Sequence, residues 1–165
     1  MSYGISVTVG DKLIGVGQPP FIIAEIGVNF DGKLEVAKRL VDAAAWSGAD
    51  AVKFQTFHAD EFVANTTLKY TYTLADDTKI TESQYDMFKR LELPHDWHRI
   101  LQKYAAAKGI MFLSSVADKI AVDLLDSLDV PAFKIASEDL INVDLLEYVS
   151  TKNRPVILST GMANS

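Results

Sequence analysis

The chain has 165 residues, 48% of them hydrophobic, and a formal net charge of −6, enough apolar material for a soluble domain with a sizeable core. Acids outnumber lysine and arginine and no basic block occurs, which argues against nucleic acid as a partner. Cysteine is absent, so disulfides and thiolate metal sites are excluded, and no apolar run approaches the ~20 residues of a membrane span.

Met1-Ser2-Tyr3-Gly4 lacks the charged start and apolar core of a signal peptide, so a cytoplasmic protein is expected. Ile5 to Val9 and Lys12 to Val16 are short β-rich runs joined at Gly10-Asp11, a hairpin signal, and residues 1–18 read as a cap ahead of the main fold. Residues 19–165 read as one continuous unit. Beyond Gln18-Pro19-Pro20, Phe21 to Gly27 is a first apolar strand with Glu25 near its end. Asn29-Phe30-Asp31-Gly32 makes a turn, and Leu34, Ala37, Leu40, Val41, Ala44 and Ala45 recur at helical spacing up to Gly48. The next strand, Asp50 to Thr56, carries Lys53 and Gln55 inside an apolar run. A cation buried in a strand is costly without a counter-charge, so Lys53 calls for an anion.

From His58 to Ile80 the pattern loosens, and a long irregular connection over the strand ends is expected. Thr81-Glu82-Ser83-Gln84 has the spacing of a capping box, opening a helix that ends near Leu93-Pro94. A second helix follows, with Trp97, Ile100, Leu101, Tyr104 and Ala105 on one face and Gly109 as its stop. Ile110 to Leu113 is the third strand, ending at Ser114-Ser115. Ile120, Ala121, Leu124, Leu125 and Leu128 mark a helix, and Ala132 to Ser137 is a strand with a second embedded lysine, Lys134. A helix centred on Leu145 and Leu146 and the strand Pro155 to Leu158, followed by Ser159-Thr160-Gly161, complete the pattern.

Five strands alternating with helices predict a parallel α/β sheet. An open doubly wound sheet would use mainly its switch point, whereas a (β/α)8 TIM barrel gathers every strand end around one site. Polar residues close all five strands: Glu25, Lys53 with Gln55, Ser114 with Ser115, Lys134 with Ser137, and Ser159 with Thr160. A barrel is therefore expected, of which this chain covers the hairpin and the first five strands, since a complete one takes roughly 250 residues.

The segments Ile23-Ala24-Glu25-Ile26-Gly27-Val28-Asn29, Asp50 to Thr56, Phe112 to Ser115, Pro131 to Ser137 and Ile157 to Met162 together resemble the N-acetylneuraminate (sialic acid) synthase family, which includes synthases of legionaminic and pseudaminic acid. The resemblance implies condensation of phosphoenolpyruvate with an N-acetylated aldose, with release of phosphate. It implies a divalent metal, Mn2+ or Mg2+, held by two histidines on strands beyond Ser165, an antifreeze-like domain also beyond this chain, and a homodimeric full-length protein. Lys53, Ser115, Lys134 and Ser137 would hold phosphoenolpyruvate, Glu25 would hydrogen-bond the acceptor sugar, and Gln55 would line the same pocket. Two departures stand out. The family's Asn-His-Asn-Gly is here Asn29-Phe30-Asp31-Gly32, and its Ser-Gly-Glu is Ser137-Glu138-Asp139, so the acid is either a methylene shorter at Asp139, the candidate kept here, or displaced to Glu138.

Plainer assignments exist for the same residues. Lys53 forms a structural ion pair with Glu25; the serines and Thr160 cap helices; His58, His95 and His98 lie on the surface; Phe88 and the tyrosines pack, with Tyr70 or Tyr72 near substrate. The competing activities are a Schiff-base aldolase or lyase using Lys53 or Lys134, a synthase taking sugar phosphates, and a non-catalytic binding module. The 165-residue chain alone is expected to be inactive, since the metal ligands lie outside it.

Overall fold

The structure, a computed structural model, describes residues 6–161 and 163. The chain opens with an antiparallel hairpin of β1 (Ser6–Val9) and β2 (Lys12–Gly15), turning at Gly10; Ile5, expected as the first strand residue, lies outside the described residues. Next come β3 (Ile23–Gly27), α1 (Leu34–Trp46), β4 (Ala51–Thr56) and the short α2 (Ala59–Phe62). A second hairpin, β5 (Lys69–Thr73) with β6 (Lys79–Ser83), leads into α3 (Gln84–Leu91) and α4 (His95–Ala107). The remainder is β7 (Met111–Val116), α5 (Lys119–Ser127), β8 (Phe133–Ile135), a 3-10 turn (Ser137–Ile141), α6 (Val143–Ser150) and β9 (Val156–Leu158).

β3, β4, β7, β8 and β9 form one sheet in that order, parallel throughout. In a parallel ladder paired residues point to the same face, and so do residues two apart on a strand. Two rows follow from the register: Glu25, Lys53 and Leu113, then Gln55, Ser115, Lys134 and Ile157. All of these share one face. The opposite face carries Val52, Phe54, Phe112, Val116, Phe133 and Ile135, which pack against Ala37 and Val41 of α1, Leu101 and Ala105 of α4, Leu125 of α5 and Leu145 of α6. Helices thus cover one face only, and strand order follows chain order without reversal. That is the arrangement of a (β/α)8 barrel over its first five strands, not of an open doubly wound sheet.

The first hairpin closes the N-terminal end of the inner face. Val9 packs with Ala51, Leu113 and Ala132, and Lys12 pairs with Asp50 at 3.1 Å. Gly10 has φ of +61°, and a Cβ there would lie 2.9 Å from the Met111 sulfur, so the turn needs glycine for conformation and for room.

Three expectations change. The stretch 58–80 is not irregular: it holds α2 and most of the β5–β6 hairpin, whose Thr71 and Thr81 hydroxyls bond at 2.8 Å. The cap of α3 is Ser83 rather than Thr81, its Oγ accepting from Asp86 N at 2.9 Å and donating to Asp86 Oδ2 at 2.7 Å. Ile100 and Ile120, expected on buried faces, are exposed. Phe30, the departure from the family's turn, is fully buried between Phe54 (ring centroids 6.4 Å apart) and Trp97 (6.1 Å). Among the described residues no helix is long and apolar enough to cross a membrane.

Candidate active site

The inner face supplies the charge. Lys53 projects from the middle of β4, only 5% exposed, and its Nζ lies 2.7 Å from Glu25 Oε2 on β3. The expected structural ion pair is therefore present, but it is lopsided, because the Glu25 side chain is 62% exposed. Lys134 on β8 donates from Nζ to Ser159 Oγ and to the Ile135 carbonyl, both at 2.6 Å. Burial, and next the charge of Lys53, hold the Lys134 ammonium below the usual lysine range, while Glu25 and Glu138 pull the other way. Each lysine has a contact of its own, yet they share one electrostatic cluster with Glu25.

Ser115 is buried between Gln55 and Lys134 in the register, and its hydroxyl makes no side-chain hydrogen bond among the described residues. Ser137 opens the 3-10 turn and caps no helix; a Cβ on Gly161 would come within 3.4 Å of its own, so the chain after β9 passes close over it. Asp139 is 8% exposed, burial raises its pKa, and its Oδ2 has no hydrogen-bond partner among the described residues. Gln55, Ser115 and Asp139 line one cavity of about 120 Å³ at the C-terminal end of the sheet, walled by Phe57, Phe62 and Phe88. A larger depression of about 630 Å³ lies at the opposite end, between the first hairpin, α1 and α4, where Asp11, Lys12 and Asp50 meet Gln102. Barrel sites form at the C-terminal ends of strands, so the smaller cavity is the one that matters.

The capping assignments do not hold for the serines at the end of β7 and after β8. Asp118 caps α5 through Ala121 N (2.7 Å) and Asn142 caps α6 through Leu145 N (3.2 Å), leaving Ser115 and Ser137 uncommitted. Ser114 turns to the outer face, where its Oγ lies 2.7 Å from Thr56 Oγ1. His98, expected at the surface, is 1% exposed with Nε2 2.9 Å from Thr56 Oγ1. His58 is pinned to Asp118 at 3.1 Å, and Tyr72 bonds Glu82 at 2.5 Å on the second hairpin, so neither joins the cavity. The phenyl wall went unread in the sequence apart from Phe88 as packing; the signal available was only the clustering of Phe57 and Phe62 just after the Lys53 strand. Among the described residues no three His, Asp or Glu side chains converge to hold a metal ion.

Similar proteins share this arrangement of elements. The N,N'-diacetyllegionaminic acid synthase of Legionella pneumophila is 44% identical over 94% of the chain, and human N-acetylneuraminate-9-phosphate synthase is 40% identical over 92%. The chain spans about two-fifths of these relatives, 43% and 42% of their lengths. The crystal structure of the N-acetylneuraminic acid (sialic acid) synthetase of Leptospira borgpetersenii in complex with citrate superposes with a TM-score of 0.84 at 30% identity, covering 98% of this chain and 52% of that one. The NeuB family model matches residues 40–165, and the chain belongs to the NeuB family.

Proposed function

We propose that the protein carrying this chain condenses phosphoenolpyruvate with an N-acetylated aldose to give a nonulosonic acid and inorganic phosphate. One observation carries the reading. Two lysines from separate strands, Lys53 and Lys134, reach the same end of the same face, close enough for one charge to depress the pKa of the other. Such a pair is stabilised by a multiply charged anion bridging it, and ammonium groups suit phosphate and carboxylate as point charges. Ser115 and Ser137 add uncommitted hydroxyls beside it.

In this scheme the enol carbon of phosphoenolpyruvate forms a bond to the aldehyde carbon of the open-chain sugar. Positive charge develops at the phosphate-bearing carbon as the aldehyde carbonyl opens to an alkoxide, water adds to that carbon and its proton goes to the alkoxide, and the carbon–oxygen bond to phosphate breaks as the new hydroxyl gives up its proton and becomes the ketone. Lys53 and Lys134 fix the anion and offset its charge, so their contribution is position and electrostatics. Glu25 leaves Lys53 to accept a sugar hydroxyl as the anion arrives. A divalent metal, Mn2+ or Mg2+, belongs to the proposal only through residues outside the described part, because the described residues do not fit one; no step is derived through it. A cytoplasmic homodimer completes the proposal.

The test is phosphate release from phosphoenolpyruvate by the complete protein, with N-acetylmannosamine or a diacetamido aldose as acceptor. Release dependent on such an acceptor supports the reading, and release only with phosphorylated, non-acylated aldoses refutes it. The lowered Lys134 pKa favours a second reading, a Schiff-base aldolase. Borohydride inactivation in the presence of pyruvate would establish that one and remove the first.

A further inference from the structure

Behind the sheet, on the face away from the cavity, a small polar group interrupts the apolar packing. Thr56 ends β4, Ser114 lies on β7 and His98 stands in the first turn of α4, all three buried. The His98 ring meets Phe112 edge-on with centroids 6.5 Å apart, and Phe112 in turn stacks on Phe54 at 5.6 Å. Every proton in the group can be placed. His98 Nδ1 lies 3.1 Å from the carbonyl oxygens of Pro94 and His95, which can only accept, so Nδ1 carries the hydrogen. Burial lowers the pKa of the ring to about 4, which leaves it neutral near pH 7 and makes Nε2 an acceptor. Thr56 Oγ1, 2.9 Å away, therefore donates to Nε2. That commits its one proton, so the 2.7 Å contact with Ser114 Oγ takes the proton of Ser114. The other acceptor near that hydroxyl, the Ser115 carbonyl, is farther off at 3.4 Å. The bonds run in one direction, from Ser114 to Thr56 to His98 to the start of α4.

Such a series is a poor source of stability, because apolar groups of the same shape in place of both partners of a buried hydrogen bond are nearly neutral. What it adds is geometry. A completed buried network fixes distances and angles where apolar packing tolerates a range. The residues it fixes have their neighbours on the other side of the sheet. Successive residues on a strand point to opposite faces, so Gln55 and Ser115, next to Thr56 and Ser114, face the cavity, and the ladder pairs them with each other. Ser115 is paired with Lys134 on its other side. Three buried side chains thus join β4, β7 and α4 one residue away from the uncommitted hydroxyl beside Lys134.

We infer that His98 is a positioning residue for the reaction: from behind the sheet, through Thr56 and Ser114, it sets where Ser115 presents its hydroxyl to the bound anion. It touches no substrate itself. The inference rests on the condensation reading for the identity of that anion, phosphoenolpyruvate, and adds a residue from outside the cavity on which the placement of a cavity hydroxyl depends.

The experiment is a double-mutant cycle on the complete protein, read as the Kd of phosphoenolpyruvate by calorimetry, with the melting temperature of each variant recorded alongside. Ser115→Ala is expected to raise Kd by about tenfold or more, the loss of a hydrogen bond to a charged group. His98→Leu is expected to raise it by about fivefold on its own and by less than about twofold on top of Ser115→Ala, because residues that act as one unit are not additive. His98→Gln, whose amide oxygen can accept from Thr56 in place of Nε2, brings Kd back to within about twofold of the native value. Thr56→Val keeps the shape and loses the hydroxyl, so it repeats the His98→Leu pattern and replaces that variant in the cycle if it does not fold. Equal factors with and without the Ser115 hydroxyl overturn the inference, whatever the melting temperatures do. So does a His98→Gln variant that binds as weakly as His98→Leu, and so does a Ser115→Ala variant that binds like the native protein. In each of these cases binding by the native protein leaves the condensation reading standing, whereas a native protein that does not bind phosphoenolpyruvate removes both.

Discussion

Lys53 Nζ lies 2.7 Å from Glu25 Oε2 across β3 and β4, the lysine buried and the glutamate largely in water. The two ends of this pair are not equivalent. Glu25 can leave at little cost because solvent already reaches it, while Lys53 cannot be left alone. The pair therefore works as an exchangeable one, with the carboxylate holding the place of an incoming anion.

Glu25→Gln is accordingly expected to lower stability by about 1.5–3 kcal/mol, the range for a hydrogen bond to a charged group. Saturating phosphoenolpyruvate should raise the melting temperature of this variant more than that of the native protein, as it restores the missing charge. Ligand at 100 times its Kd contributes about 2.7 kcal/mol. Thermal melts with and without ligand check both points; equal melting of variant and native protein would show that Lys53 needs no counter-ion. Lys134→Met, by contrast, should weaken binding of phosphoenolpyruvate by on the order of 2–5 kcal/mol, because it removes a partner of a desolvated charge contact.

His98 leads to a pH dependence. Its Nδ1 faces the carbonyls of Pro94 and His95, both at 3.1 Å, so this nitrogen carries the proton and Nε2 accepts from the Thr56 hydroxyl. Burial lowers its pKa from 6.5 to about 4, against the two carbonyls and with help from the charges of His95 and His58. The unfolded chain therefore takes up the proton first. Stability from this group is complete above about pH 6.5 and declines as pH falls towards 4, at no more than about 1.4 kcal/mol per unit. Urea denaturation of the native protein and of His98→Gln, from pH 7 to 4.5, should show the native advantage shrinking by on the order of 2–3 kcal/mol. A constant difference across that range would mean that the histidine takes up its proton equally readily in the folded and unfolded chain.

His98 also shows where sequence reading stopped. The strands were legible because a strand covered on both sides is a short apolar run, and a lysine inside such a run is conspicuous. The site was legible for the same reason: Lys53 and Lys134 break two of those runs, and period-two alternation puts Gln55 and Ser115 on their face. His98 broke no pattern, since its helix tolerates a polar residue anywhere and its side-chain partner Thr56, which in turn meets Ser114, comes from a distant strand. The β5–β6 hairpin was missed because most of its residues face water, which leaves no apolar alternation to read. The capping box was placed two residues early because Thr81 and Ser83 both precede suitable partners, and the ladder that claims Thr81 is tertiary.

Asp118 gives the last prediction, a structural one with a functional consequence. One Asp118 oxygen accepts from Ala121 N at 2.7 Å, the other from His58 N at 2.9 Å, and both lie 3.1 Å from His58 Nδ1. A single buried carboxylate thus caps α5 and clamps the segment after β4 to the segment after β7. That first segment carries Phe57 and leads into α2 with Phe62, so the clamp sets the position of the phenyl wall. Asp118→Ala removes a helix cap and leaves two backbone N–H groups unmatched, for an expected loss of about 2–3 kcal/mol. Asp118→Asn keeps one acceptor and should lose about half as much. Hydrogen exchange is the discriminating measurement: in the Ala variant the His58 and Ala121 amides should both exchange faster, and KM for the acceptor should rise before KM for phosphoenolpyruvate does. Faster exchange at Ala121 alone would reduce Asp118 to an ordinary helix cap, with no hold on the cavity.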